Sequence, residues 1–252
     1  MFIPLDAVWI EAVGLSAARM TAFLAIAPPF SHRAIPNNVK AMLGVGLALA
    51  VSPRVTEGYQ TLSNTAYLGA LVVEVATGAF FGFLVLLLFS ALQSAGALID
   101  LFAGFSLAMA YDPGGQVNGA QFTRLFQLAG IVLLFSSDGY QLVISGLLRT
   151  FTAIPPGTGW NLGASSQTLV ASMTQMFLAA VQVAGPLIVV LFLADVGLGL
   201  VSRVAPALNA FALGFPLKVL LTLAFAGFIF IALPQVVSAL VDRALEAIGE
   251  VL

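Results

Sequence analysis

Between two long apolar runs lies DVGLGLVSRVAPALNAFALGFPLK, residues 195–218. It sets an arginine, a lysine, an aspartate, an asparagine and two prolines where a plain membrane anchor would hold only hydrocarbon side chains. Proline gives up a backbone donor, and an unpaired backbone group in hydrocarbon costs several kcal/mol. Such a stretch is viable at membrane depth only against protein or water. It predicts a subunit of an assembly or a channel.

The rest of the chain makes membrane depth the right frame. Sixty per cent of its residues are hydrophobic and 8% are charged, against about 25% charged in an ordinary soluble domain. An all-α integral membrane protein is expected, with about six apolar segments at roughly 20 residues per span. That leaves no room for a separate soluble domain, so residues 1–252 are read as one membrane domain. With no cysteine there is no disulfide, thiolate metal site or cysteine nucleophile. A net charge of -2 without a basic run argues against a nucleic-acid partner. Asp6 and Glu11 precede the first basic residue, Arg19, so the start does not read as a cleavable signal.

The first segment, Val8 to Ala27, carries Glu11 and Arg19 and should stop at Pro28 and Pro29, because a residue before proline is pushed out of the helical region. Ala41 to Val51 is short for a span and suits a buried or re-entrant helix. Ala66 to Ile99, with Glu74 its only charge, exceeds one crossing. Leu125 to Ser137 resumes beyond Asp138 and Gly139 as far as Arg149 and reads as a broken helix. Leu169 to Ala194 holds Gly185 and Pro186 in its middle, and Val219 to Leu233 ends near Pro234. From 237 to 252, apolar residues at helical spacing oppose Asp242, Arg243, Glu246 and Glu250. This amphipathic helix is net acidic, which favours a protein partner over an anionic membrane surface.

Gly78 and Gly82 form a GxxxG step that lets helices approach closely, more often within a chain than at a dimer face. Gln175 and Gln182, seven residues apart, share a helix face and serve either as glue between helices or as contacts to another subunit. Arg19, Glu74, Asp100 and Asp195 lie in or beside apolar runs, where a charge costs about 2.5–3.5 kcal/mol. They read as an ion pair, for instance an acid meeting Arg19 across helices, or as a proton relay. An enzyme finds little machinery. Tyr111-Asp112 and Pro206 to Leu208 match two intramembrane aspartyl-protease signatures, but the GxGD with the second aspartate is missing. HExxH and GxSxG do not occur, and His32 is the single histidine. Neither catalytic nor cofactor or metal residues are expected.

Four blocks in order carry a resemblance. They are Arg19 with Pro28, Pro29, Phe30, Pro36 and Lys40; Gln93, Gly96, Asp100 and Gly104, followed by Asp112 and Pro113; Ala180, Gln182, Ala184 and Pro186; and Arg203, Pro206, Asn209, Gly214, Pro216 and Lys218. The chain resembles the FliR/SctT family of type III export gates over nearly its whole length. The resemblance implies bent helical hairpins stacked on FliP-like and FliQ-like membrane subunits, an associated FlhB-like subunit, unfolded export substrates, and a place in the bacterial inner membrane at the flagellar basal body. Arg19, Gln93, Asp100, Gln175, Gln182, Pro186, Arg203, Pro206, Asn209, Pro216 and Lys218 are then expected to serve subunit packing. The resemblance also implies a pore plug within residues 105–120, comprising Phe105, Leu107, Met109, Tyr111, Asp112, Pro113, Gly114 and Gly115. Apolar constrictions gate by dewetting. The alternatives are a self-contained ion or small-solute transporter, which predicts an internal repeat, and a membrane scaffold without a pore.

Overall fold

Asp6 opens the first helix: its Oδ1 accepts the Trp9 N–H at 2.8 Å, satisfying one of the donors that every helix start leaves free. The computed structural model describes residues 6–32, 34–105, 121–159, 162–205 and 210–252. These form seven helices and, among the described residues, no strand. They are α1 (Ala7–Ile26), α2 (Asn37–Val55), α3 (Asn64–Ala103), α4 (Gln121–Ser136), α5 (Gly139–Ala153), α6 (Leu162–Val204) and α7 (Ala210–Val251). α1 gives way at Ala27, whose backbone is extended (φ -70°, ψ 128°) as the following proline requires.

Helix lengths depart most from the sequence expectation. α3 has 40 residues, so it runs roughly 60 Å at 1.5 Å per residue, about twice the ~30 Å hydrocarbon core. The fifth and sixth apolar segments are parts of helices of 43 and 42 residues. Pro186, Pro216 and Pro234 all lie inside helices rather than ending them. Each proline removes one ladder bond, which a long helix with many remaining bonds tolerates. In the segment 195–218 helix therefore reaches Val204 and restarts at Ala210. Four helices are long and apolar enough to cross a membrane; α4 and α5, broken at Ser137 and Asp138, would make a fifth if taken as one span. Asp138 takes the left-handed conformation at φ 55°, which short polar side chains tolerate. α2 is not among the candidate spans.

The chain divides into two compact units. The first takes residues 1–88, 138–173 and 240–252. In it α1 and α2 run antiparallel: Gly44 meets Thr21, and Lys40 Nζ donates to the Ser31 carbonyl at 3.1 Å. α1 and α3 run parallel, with Gly78 against the Arg19 backbone and Gly82 against Phe23. The GxxxG step thus serves packing inside the chain. The amphipathic end of the sequence continues α7, burying Val237, Leu240, Val241, Ala244 and Ile248 while Asp242, Glu246 and Glu250 stay exposed. Leu245 and Ile248 pack where Gly146 of α5 lacks a side chain. The surface that receives Leu245 and Ile248 is the chain's own α5.

The second unit takes residues 89–137 and 174–239. Leu92, Ile99, Phe122, Phe126, Leu134, Ala184 and Leu191 are buried in it. Phe105, Phe122, Phe126 and Phe230 form a run of rings with centroids 5.8–6.1 Å apart, the spacing of offset and edge contacts.

Candidate functional site

Arg19 is fully buried, and so is Glu74. The guanidinium donates from Nε to Glu74 Oε2 at 2.5 Å and from Nη2 to Oε1 at 3.0 Å, the bidentate fork that suits a carboxylate. Its Nη1 donates to the Thr150 carbonyl and to Thr150 Oγ1, both at 3.3 Å, and its face lies 4.3 Å from the Phe151 ring. Glu74 Oε1 also accepts the Gly157 N–H at 2.9 Å. One node thus joins α1, α3, α5 and the turn after α5. Glu74 and Gly78, one turn apart on α3, both face α1: the glycine lets the backbones close, and the carboxylate receives the arginine. These bonds satisfy the Arg19 guanidinium within the chain. The acid across helices is Glu74, the only charge in its apolar run. Nothing in the sequence marks Thr150 or Phe151, and Gly157 reads there only as part of a loop with Pro155, Pro156 and Gly159.

Asp100 plays the same kind of internal part in the second unit. Its carboxylate accepts the Phe122 N–H at 2.9 Å, the Thr123 N–H at 3.0 Å and the Thr123 hydroxyl at 2.8 Å. A side chain from α3 therefore caps α4 and sets a negative charge at the positive end of its dipole. Gly96, one turn earlier, makes the approach possible, since a Cβ there would come 2.6 Å from the Phe122 carbonyl oxygen and from Thr123 Cα. Asp100→Ala is expected to cost about 1–2 kcal/mol and to speed hydrogen exchange at the Phe122 and Thr123 amides. Unchanged exchange at both would remove the cap from the account.

Most of the remaining packing candidates lie on α6 and α7 and differ in kind. Gln175, Gln182 and Pro186 are exposed, as are Arg203 and Pro216; Gln93 on α3 is half-buried. Lys218 Nζ pairs with Asp195 at 2.7 Å, with the carboxylate side chain 46% exposed. Around these groups stand uncovered apolar side chains: Phe177, Val181, Phe192, Leu193 and Leu200 on α6, and Leu220, Leu223, Phe228 and Ile231 on α7. Half of the most apolar window of α3 is buried, against 33% for α6 and 22% for α7. Gly185, Gly197, Gly199 and Gly227 have no atom within 4 Å of where a Cβ would stand. Pro206 and Asn209 lie outside the described residues.

Of the expected plug, Phe105 is described; its ring lies 5.9 Å from Phe122. Leu107, Met109, Tyr111, Asp112, Pro113, Gly114 and Gly115 lie outside the described residues. Among the described residues no group of acids and histidine is arranged to hold a metal ion.

The loop between α2 and α3 is strapped to α1. Glu11 accepts the Leu62 N–H at 3.0 Å and the Tyr59 hydroxyl at 3.3 Å. Burial, then the charge of Glu11, push the Tyr59 phenol from 10.0 up to about 12. Its folded value lies above the unfolded one, so this stabilisation is whole below pH 10.0 and disappears as pH rises through about 12. Ultraviolet titration of the chain against Tyr59→Phe should place the phenolate midpoint near the upper value. Glu11→Gln should lower it only in part, because burial is the larger cause.

The sequence matches the family described as bacterial export proteins, family 1, over residues 10–244. It is 28% identical over 244 residues to the flagellar biosynthetic protein FliR of Pectobacterium carotovorum subsp. carotovorum, covering 97% of this chain and 94% of that one. It is 30% identical over 210 residues to the flagellar biosynthetic protein FliR of Escherichia coli (strain K12), covering 83% and 80%. Yop proteins translocation protein T of Yersinia pestis is 30% identical over 177 residues, covering 68% and 67%.

Proposed function

The chain belongs to the bacterial export proteins, family 1, and from that membership we propose that it forms part of the wall and closure of a flagellar type III protein export gate. It is a multi-pass membrane subunit of the type III export apparatus. A flagellar system is favoured because similarity to the FliR protein of Pectobacterium carotovorum subsp. carotovorum extends over 97% of the chain, against 85% for the surface presentation of antigens protein SpaR of Shigella sonnei and 68% for the Yersinia translocation protein. Its site is the bacterial inner membrane at the flagellar basal body. The transporter alternative gains nothing from these relatives.

The observation that carries the reading is the uncovered face of α6 and α7. Lipid tails are as apolar as leucine and would accept Phe192 or Ile231. They would not accept a half-exposed Asp195–Lys218 pair or the amides of Gln175 and Gln182 without cost. Bare glycines beside those groups admit a second helix at close range, where packing and interhelical hydrogen bonds drive association. The occupants are membrane subunits of the FliP and FliQ type, with an FlhB-like subunit associated. Phe105, Leu107, Met109 and Tyr111 form the constriction, and Asp112 to Gly115 its turn. The subunit itself is non-enzymatic: it shapes a path for unfolded substrates, and the driving energy enters elsewhere.

A tagged chain extracted from its own host in mild detergent should bring down two other small membrane proteins. Recovery of the chain alone and monodisperse would overturn the reading. Deleting residues 109–115 should leave the complex intact and make the membrane leaky to small ions, whereas unchanged conductance through an assembled complex would remove the plug.

A further inference from the structure

Along α6 the outward side chains fall into a repeat that exposure alone does not require. Steps of seven from Gln175 reach Gln182, Val189, Val196 and Arg203. Three residues after each of the first four stand Leu178, Gly185, Phe192 and Gly199. This three-and-four alternation is the seam of a coiled coil, sustained over four heptads. It lies wholly within the second unit and advances roughly 42 Å between its ends at 1.5 Å per residue. The buried positions Met176, Ala180, Ala184, Leu187 and Leu191 occupy other phases of the heptad. The seam therefore faces away from the chain's own core.

It is also bare. Leu178, Val189, Phe192 and Val196 are 44–57% exposed, and Gln175, Gln182 and Arg203 are exposed as well. Gly185 and Gly199 have no atom within 4 Å of where a Cβ would stand, so each leaves a notch, one on either side of Phe192. Arg203 belongs to no ion pair among the described residues, although the candidate span of α6 runs on to Val204. Lipid tails would accept Val189 or Phe192, but they cannot answer two amides and a guanidinium. A cation in the last turn suits the helix dipole by itself. The dipole does not call for the phase that Arg203 shares with both glutamines. Polar groups at seam positions do have such a use, since they fix the register and identity of a partner helix.

We propose that this seam seats one helix of a neighbouring membrane subunit, which carries a carboxylate for Arg203 and hydrogen-bonding side chains for Gln175 and Gln182. Bulky apolar side chains of that helix fill the notches at Gly185 and Gly199, and a small residue meets Phe192. A straight helix drifts about 20° per heptad, so contact along the whole seam requires a left-handed crossing. This occupant presupposes the export-gate role and adds what the partner's helix must carry.

A photo-crosslinking residue is placed singly at Leu178, Val189, Phe192 and Val196 of the chain in its native complex, and what it captures is identified by mass spectrometry. One and the same membrane subunit should be captured at all four. Phe177 and Leu193, exposed but off the seam, should yield far less of it. Arg203→Glu should lower retention of that subunit by about tenfold, the scale of one charge-assisted bond, while Arg203→Lys keeps most of it. An acid-to-lysine exchange in the captured helix should restore retention to Arg203→Glu. Arg203 is exposed, so an unchanged unfolding midpoint of each variant is the control on folding. Capture of lipid, of a second copy of this chain, or of different subunits along the seam would overturn the proposal, as would full retention by Arg203→Glu. A native chain that retains no subunit at all would sink the export-gate reading and the seam with it.

Discussion

Arg19→Ala is expected to destabilise the chain by about 3–5 kcal/mol, the usual result of removing one partner from a buried ion pair. Glu74 would be left in a fully buried site with only the Gly157 N–H to bind. The effect should appear as a large drop in the unfolding midpoint in mild detergent, together with poor membrane insertion, since the lone carboxylate must still be taken to membrane depth. Glu74→Ala should do comparable harm by stranding the guanidinium, although Thr150 and the Phe151 ring still hold part of it. Replacing both, as in Arg19→Met with Glu74→Leu, should recover much of the loss, because neither charge then needs a partner. If the double variant is as unstable as the sum of the singles, the pair is not what joins these helices.

A comparison of glycines gives the second large effect. At Gly78 a Cβ would stand 2.0 Å from the Arg19 carbonyl oxygen, a backbone atom with no rotamer to yield. Gly78→Ala must therefore push α1 away from α3 and stretch the Arg19–Glu74 bonds. The cost should reach the upper part of the ~1–3 kcal/mol range for overpacking and be read as a fall in unfolding midpoint. Gly197→Ala meets nothing within 4 Å, and in a helix interior it should gain up to about 1 kcal/mol. The same position becomes sensitive when the partner is present. Gly197→Leu should leave the isolated chain as stable as before and diminish co-purification of other subunits. Intact co-purification would show that α6 does not use this face.

Several of these features could be read from residues alone. Arg19, Glu74 and Asp100 stand out because a charge in an apolar run demands a partner, and the sequence limits the partners to few groups. The stop at Pro28 and Pro29 and the break at Asp138 follow from local backbone sterics, so the structure repeats them. Helix lengths were less legible. Pro216 and Pro234 look like boundaries in one dimension, but each removes a single ladder bond from a helix of 42 residues that keeps many others. The roles of Thr150, Phe151 and Gly157 were invisible, because Thr150 and Phe151 meet Arg19 from more than 130 residues away and Gly157 meets Glu74 from 83 away.

By itself the sequence determined the class of this protein, a membrane chain with charges that must be answered, because composition and periodicity depend on each residue's own affinity for water or hydrocarbon. Only the tertiary structure decided which charges are answered within the chain and which helices remain uncovered. Glu74 meets Arg19, Asp100 meets the start of α4, and the amphipathic end of α7 covers α5, while Gln175, Gln182 and the glycines of α6 face outward. That division depends on which backbones come within a few ångströms of each other, a distance set by packing between residues far apart in the chain.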